Sequence, residues 1–177
     1  INQTTGQYEV ELLTTRPVIS EPLNFAAIAP GNYDVVTIGD STFNGLQFSG
    51  TAPTSFTNPS NSTDTINPSG NGFGIGNNLV ADNEGFLFSY PNASAMTFDV
   101  NFQPNTNVAS ITWVAYSSDP LTGGVPIETG SAITVTRDAD GIVPVTIDPA
   151  LNFNYLVIRV DYPDIASGPN KQNANNA

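Results

Sequence analysis

Short stretches in which polar and apolar residues alternate recur along this chain. In the clearest one, Met96 to Phe102, every second residue is apolar and the residues between them are polar. A period of two residues is typical of a strand with one buried face. Similar patterns predict strands at Gln7–Thr14, Tyr33–Ile38, Phe43–Phe48, Gly85–Tyr90, Val108–Ser117, Ala132–Arg137, Ile142–Ile147 and Phe153–Tyr162.

Glycine, proline, asparagine and serine separate these strands at short intervals, and no stretch has the period of a helix. Residues 51–71 contain three prolines and almost no apolar periodicity, so we expect a long surface loop there. About nine or ten short strands predict an all-β fold, a two-layer antiparallel β-sandwich of jelly-roll or Greek-key type. Residues 1–167 are expected to form this single domain, and residues 168–177 a flexible C-terminal tail.

The two aromatic residues of the Val108–Ser117 strand are Trp113 and Tyr116, which are three positions apart. Because successive side chains of a strand alternate between its two faces, they point to opposite faces. An aromatic side chain in such a strand belongs to a core more often than to a binding platform. We therefore expect Trp113 to be buried.

The charge of the chain limits its partners. Sixteen Asp and Glu residues against four Lys and Arg give a net charge of −12. Such a chain repels a phosphate backbone, so we expect no nucleic acid partner. No apolar run of about 18 residues is present, and we expect no insertion into a membrane. We expect the chain to be soluble and to belong to a longer one.

The chain contains neither cysteine nor histidine. Disulfides, thiolate nucleophiles, imidazole bases and zinc–thiolate sites are therefore excluded, and a pair of carboxylates is the main remaining route to acid–base chemistry. We expect a binding protein that is not an enzyme, with a carboxylate-only hydrolase as a background alternative.

Oxygen donors are concentrated in the segment from Gly74 to Gly85. The donors there are Asn77, Asn78, Asp82, Asn83 and Glu84. Calcium takes six to eight oxygen ligands from carboxylates, amides and backbone carbonyls. Because this set exceeds what a single turn requires, the segment predicts a calcium site.

Two further segments have the same character. Asp138 and Asp140 precede Gly141 between two predicted strands, where either a hairpin turn or a metal site fits the sequence. Asp40 and Asn44 have the same two interpretations. Side chains near predicted strand ends that could complete a ligand site are Asp119, Asp161 and Asp164.

A resemblance to a known family rests on three of these stretches. The segment from Gly72 to Tyr90, the strand from Met96 to Phe102 and the strand from Phe153 to Tyr162 resemble ligand-binding modules near the C-terminal end of large type I-secreted RTX adhesins of Gram-negative bacteria. The family pattern is a glycine-rich run with two asparagines, a short acidic step and an apolar strand. The residues here that match it are Gly74, Gly76, Asn77, Asn78, Glu84, Phe88 and Tyr90.

This resemblance implies an extracellular, calcium-dependent β-sandwich on a bacterial cell surface that mediates cell adhesion, as in biofilms. Some modules of this type bind the free C-terminal end of a peptide on a target cell, with calcium contacting its carboxylate, and neighbouring modules bind sugars. Peptide termini are therefore the expected partner. A carbohydrate-binding module and a structural spacer without ligand remain alternatives.

Overall fold

The computed structural model describes residues 22–48, 63–69, 72–76, 79–102 and 106–163. The strand expected at residues 7–14 and the tail at residues 168–177 lie outside them. Twelve strands form within the described residues: β1 Val36–Ile38, β2 Ser41–Gln47, β3 Thr63–Asp64, β4 Ile66–Ser69, β5 Gly72–Ile75, β6 Glu84–Ala93, β7 Met96–Asn101, β8 Val108–Tyr116, β9 Pro126–Thr129, β10 Ile133–Thr136, β11 Ile142–Ile147 and β12 Phe153–Asp161. Two short 3-10 turns, Phe25–Ala27 and Pro120–Thr122, complete the described helical structure.

The main layer is an antiparallel sheet of eight strands. Its order is β1-β2-β6-β12-β8-β10, with β3 paired to the end of β2 and β9 paired to the end of β8. The long strands β6, β8 and β12 form its centre, and β12 pairs with both of the others. Alternation of side chains in these strands fills one face with the main core.

Two smaller sheets cover that face. Strands β7 and β11 pair along six residues, and β4 pairs with β5. Val100 and Val145 from the first pair and Ile66 and Ile75 from the second join the same buried cluster as the large sheet. The expected all-β sandwich is therefore confirmed, and twelve strands compare with the nine or ten that were expected.

The expected buried and exposed sides of the Met96–Phe102 strand are confirmed. Met96, Val100 and Phe102 are buried in the core, and Thr97 and Asp99 are exposed. Trp113 is buried in the main core while Tyr116 belongs to a cluster on the other face, as their spacing predicted.

The loop expected at residues 51–71 is wrong for its described part, residues 63–69, which form β3 and β4. Pro68 lies inside β4, which is compatible with a two-stranded sheet because an edge strand leaves its N–H groups unpaired. Strands β5 and β9 are also additions to the expected set. These strands are two to four residues long, so cross-strand pairing and not a local pattern determines them.

The segment from Asp138 to Gly141 joins two layers and is not a hairpin. Strand β10 before it pairs with β8 in the large sheet, whereas β11 after it pairs with β7. The Asp138 carboxylate accepts hydrogen bonds from the backbone N–H groups of Asp140 and Gly141, and Gly141 has a positive φ of 74°. A turn is thus formed here, but it connects the two sheets of the sandwich.

A glycine allows the indole ring of Trp113 to pack closely against the backbone that follows β9. A Cβ atom at Gly130 would lie 1.9 Å from Trp113 Cε2, and Gly130 N donates a hydrogen bond to Trp113 O. No side chain fits between the indole ring and this backbone.

We predict that Gly130→Ala destabilises the protein by about 3 kcal/mol, because the added methyl group displaces the indole ring. The chain has a single tryptophan, so its emission should shift to longer wavelength as the ring moves toward water. The neighbouring exposed residue provides the control, since Ser131→Ala should leave melting and emission unchanged. A Gly130→Ala variant that melts like the parent would contradict this packing.

Candidate functional site

The strand registers place the predicted acidic residues at two opposite ends of the large sheet. Glu84 and Asp161 lie at the end where β6 begins and β12 ends, together with Asp82. Strand β10 also finishes at this end, opposite Val108, so Asp138 and Asp140 follow it there. We call this end the acidic rim; it carries Asp82, Glu84, Asp138, Asp140 and Asp161.

The opposite end of the sheet holds two other predicted residues. Asp40 lies in the turn before β2, whose first residues pair with the Ser89 region of β6. Asp119 follows β8, and its carboxylate accepts a hydrogen bond from Leu121 N at the start of a 3-10 turn. The pairing partners of Asp161 and Tyr155 lie six positions apart on β8, a distance of about 20 Å. Asp119 and Asp161 are therefore not brought together.

Asn44 lies in the middle of β2, and its side-chain amide donates a hydrogen bond to Asp34 O. Asp164, Asn77 and Asn78 lie outside the described residues.

Asp82 and Asn83 form a turn that is bonded to the end of β12. The Asp82 carboxylate accepts hydrogen bonds from Tyr162 N and from the Asn83 side chain. Asn83 has a φ of 64°, a conformation that asparagine tolerates better than most residues. Its backbone N–H donates to Val160 O and its carbonyl accepts from Phe48 N. These two residues thus connect β2, β6 and β12.

Arg159 is a basic residue at the acidic rim and is only 2% exposed. Its guanidinium donates to Asp161 Oδ1 from Nε at 3.0 Å and from Nη2 at 2.9 Å, and Nη2 also donates to Asn83 Oδ1. The group lies 5.6 Å from the centre of the Phe48 ring. Asp161 therefore forms an ion pair with a buried arginine, and its charge has a structural role.

Glu84 differs from its neighbours because its buried carboxyl lacks a basic partner among the described residues. It is 4% exposed, and its one hydrogen bond comes from Ala81 N to Oε2 at 2.7 Å. Burial raises the pKa of Glu84 from 4.5 to about 7; the Ala81 hydrogen bond lowers this pKa, and the negative charge of Asp64 raises it. At neutral pH the protein thus holds a carboxyl that is near half ionisation.

The negative charge of Asp64 reaches Glu84 and raises its pKa, although the sequence pattern did not point to Asp64. It pairs with Gly45 at the edge of the large sheet, and Oδ1 accepts a hydrogen bond from Thr65 N at 2.7 Å. A Cβ atom at Gly76 would lie 2.9 Å from Asp64 Oδ2, so the absence of a side chain there leaves room for this carboxylate. We call Asp64 and Glu84 the carboxylate pair.

The sequence offered one signal for Asp64, namely an acidic residue between two β-branched threonines. That signal is too short to identify β3, and the proximity to Glu84 depends on the pairing of β2 with both β3 and β6.

The carboxylate pair supplies two charged ligands of the kind that calcium prefers. Among the described residues, no group of three or more Asp, Glu, His or Cys side chains is arranged to hold a metal. Calcium bound at this pair would need its remaining oxygens from carbonyls, amides or water, all of which are ordinary calcium ligands. Asn77 and Asn78 follow Gly76 directly in the sequence and stay predicted donors.

Comparison of the chain with protein-family models, with curated proteins and with solved structures found no match. In the part of the chain that the structure describes, neither 3-10 turn has the length and apolar character of a membrane-spanning helix.

We predict that the protein, measured in chelator, loses stability as pH rises from about 4.5 to 7. The folded-state pKa of Glu84 lies above its ordinary value, so the folded protein retains a proton that the unfolded chain releases. The resulting loss is roughly 3 kcal/mol, complete above the folded-state pKa.

Glu84→Gln should remove this part of the pH dependence, because the amide keeps a hydrogen-bond acceptor without titrating. The measurement is urea unfolding between pH 4.5 and 8 in chelator. Asp140→Asn removes one exposed negative charge at the same rim and should retain the slope of the parent protein. An identical slope in the Glu84→Gln variant would contradict the assignment.

Proposed function

We propose that this chain is a calcium-dependent, non-catalytic binding module of a bacterial cell-surface adhesin, which attaches to other cells through peptide termini of their surface proteins. The observation that carries the proposal is the carboxylate pair. Glu84 is buried, the negative charge of Asp64 raises its pKa, and it contacts no basic group among the described residues. A divalent cation would reverse the repulsion between these carboxyls.

The net charge gives the cation a second role. A protein with a charge of −12 repels a peptide carboxylate unless a bound cation changes the local sign. Calcium at the carboxylate pair would place a positive charge near the acidic rim, where β3 and β5 end and β6 begins. This position is compatible with a ligand that carries a free carboxyl group, and it favours peptide termini over neutral sugars.

A carboxylate pair also has the composition of an acid–base site, and a Glu with a pKa of about 7 suits a general acid. The burial of Glu84 argues against this use. Only 4% of the residue is exposed, whereas a glycoside or ester would have to contact the acid directly. We therefore favour cation binding.

We predict that calcium raises the melting temperature of the protein at pH 7.5 and that chelator reverses the change. An ion that binds only the folded state stabilises it by about 2.7 kcal/mol at 100 times its Kd. Asp64→Asn and Glu84→Gln should each lose most of this increment because each removes a charged ligand.

Asp138→Asn is the matched control for these variants. It removes one carboxylate from the same rim, and asparagine can still accept the turn hydrogen bonds. It should keep the calcium response. A peptide and glycan array, probed with calcium and with chelator, then separates an adhesin module from a structural spacer. A protein whose melting and binding are the same in both conditions would refute the proposal.

A further inference from the structure

The face of the large sheet that lies away from the two small sheets is also apolar. Its side chains form a separate buried cluster, which we call the second face: Leu46, Phe48, Leu87, Val114, Tyr116 and Val157, with Tyr155 partly buried beside them. All of them come from β2, β6, β8 and β12 or the residue after β2. Among the described residues, neither β4–β5 nor β7–β11 contributes to this cluster, because both pack on the main core.

The burial of the second face is nearly complete. Val114, Tyr116 and Val157 are 0% exposed. A sheet cannot bury the side chains of its own face to this extent, because neighbours in one layer leave the ends of the side chains open. Another layer of polypeptide must therefore cover them.

Two hydroxyl groups on this face indicate what the covering layer contains. Tyr116 Oη and Thr112 Oγ1 are buried and have no hydrogen-bond partner in the described structure. Thr112 lies on the same side of β8 as Val114 and Tyr116, two and four residues away. Buried hydroxyls without partners are costly, so the cover should bring polar backbone groups as well as apolar side chains.

The sequence contains one segment with that composition outside the described residues. Of the stretches there, only residues 1–21 contain more than one large apolar side chain. Within them Tyr8, Val10 and Leu12 alternate with Gln7, Glu9 and Glu11. This is the pattern of a strand with one apolar and one acidic face, and such a strand requires an apolar surface on which to pack.

We propose that residues 7–14 of this chain cover the second face as a strand, with Tyr8, Val10 and Leu12 against it and the two glutamates in solvent. The connection has sufficient reach. Residues 15–21 span up to about 23 Å when extended, and packed layers are about 10 Å apart. The proposal is independent of calcium and of the proposed function.

Cross-linking tests this placement directly, because the chain has no cysteine of its own. The test variant combines Val10→Cys with Thr112→Cys and is treated with a thiol cross-linker about 10 Å long, the spacing of packed layers. The control combines Val10→Cys with Thr97→Cys. Thr97 is exposed on the outer side of β7, about two layer spacings from the proposed strand.

We expect a cross-link within one molecule for the Thr112 pair and none for the Thr97 pair, as read by mass spectrometry of the monomer band. A link to Thr97, no link at all, or links only between two molecules would overturn the proposal. The last result would show that a second copy supplies the cover.

A second measurement does not depend on cysteine geometry. The triple variant Tyr8→Ser, Val10→Ser and Leu12→Ser should bind an apolar dye and lower the melting temperature by on the order of 10 °C. The matched triple variant Gln7→Ser, Glu9→Ser and Glu11→Ser changes the other side of the same strand and should do neither. Equal behaviour of the two variants would contradict the proposed orientation.

Discussion

Both faces of the central strands β6, β8 and β12 have to be kept from water. Phe86, Leu87 and Phe88 are consecutive in β6 and all buried, and β12 is buried without interruption from Leu156 to Val160. An antiparallel sheet commonly has one solvated face, which gives strict alternation. Here the alternation separates two apolar clusters. Strands β4, β5, β7 and β11 cover one of these clusters, and a shift of one residue in any central strand would exchange the members of the two.

This double burial explains which parts of the fold the sequence predicts. The central strands are apolar runs or strict alternations between turn residues, so Val108–Tyr116 and Phe153–Asp161 agree with expectation to within one residue. Strands β4 and β5 contain Pro68 and two glycines and show no local pattern. They are strands because they pair with each other and place Ile66 and Ile75 in the core. Such pairing is a tertiary property.

The candidate site also consists of a part that the sequence pattern predicts and a part that only tertiary pairing brings in. The acidic segment before β6 stands out in the sequence, and three of its members, Asp82, Asn83 and Glu84, can be followed in the structure. The composition of the segment does not tell which of these residues form a turn and which could bind calcium, because asparagine and aspartate are common in both roles. Asp82 and Asn83 are engaged by β12 and Arg159. Asp64 joins Glu84 only through strand pairing, across a segment that has no periodicity of its own.

The carboxylate pair is one of the places where buried polar groups lack the partners that they normally have. A buried polar group is normally hydrogen-bonded to saturation, and a buried charge is normally paired, as Arg159 is with Asp161. Among the described residues, the Glu84 carboxyl accepts one hydrogen bond, and burial and the charge of Asp64 raise its pKa, so its ionisation opposes folding at neutral pH. A glutamine at this position would keep the acceptor for Ala81 N without the charge. Unfavourable carboxyls of this kind are concentrated at functional sites, because there a bound partner compensates for the instability of the free protein. Glu84 is the first residue of the central strand β6, and β6 contributes side chains to both apolar clusters. A partner bound at Glu84 would therefore stabilise the strand on which both clusters depend.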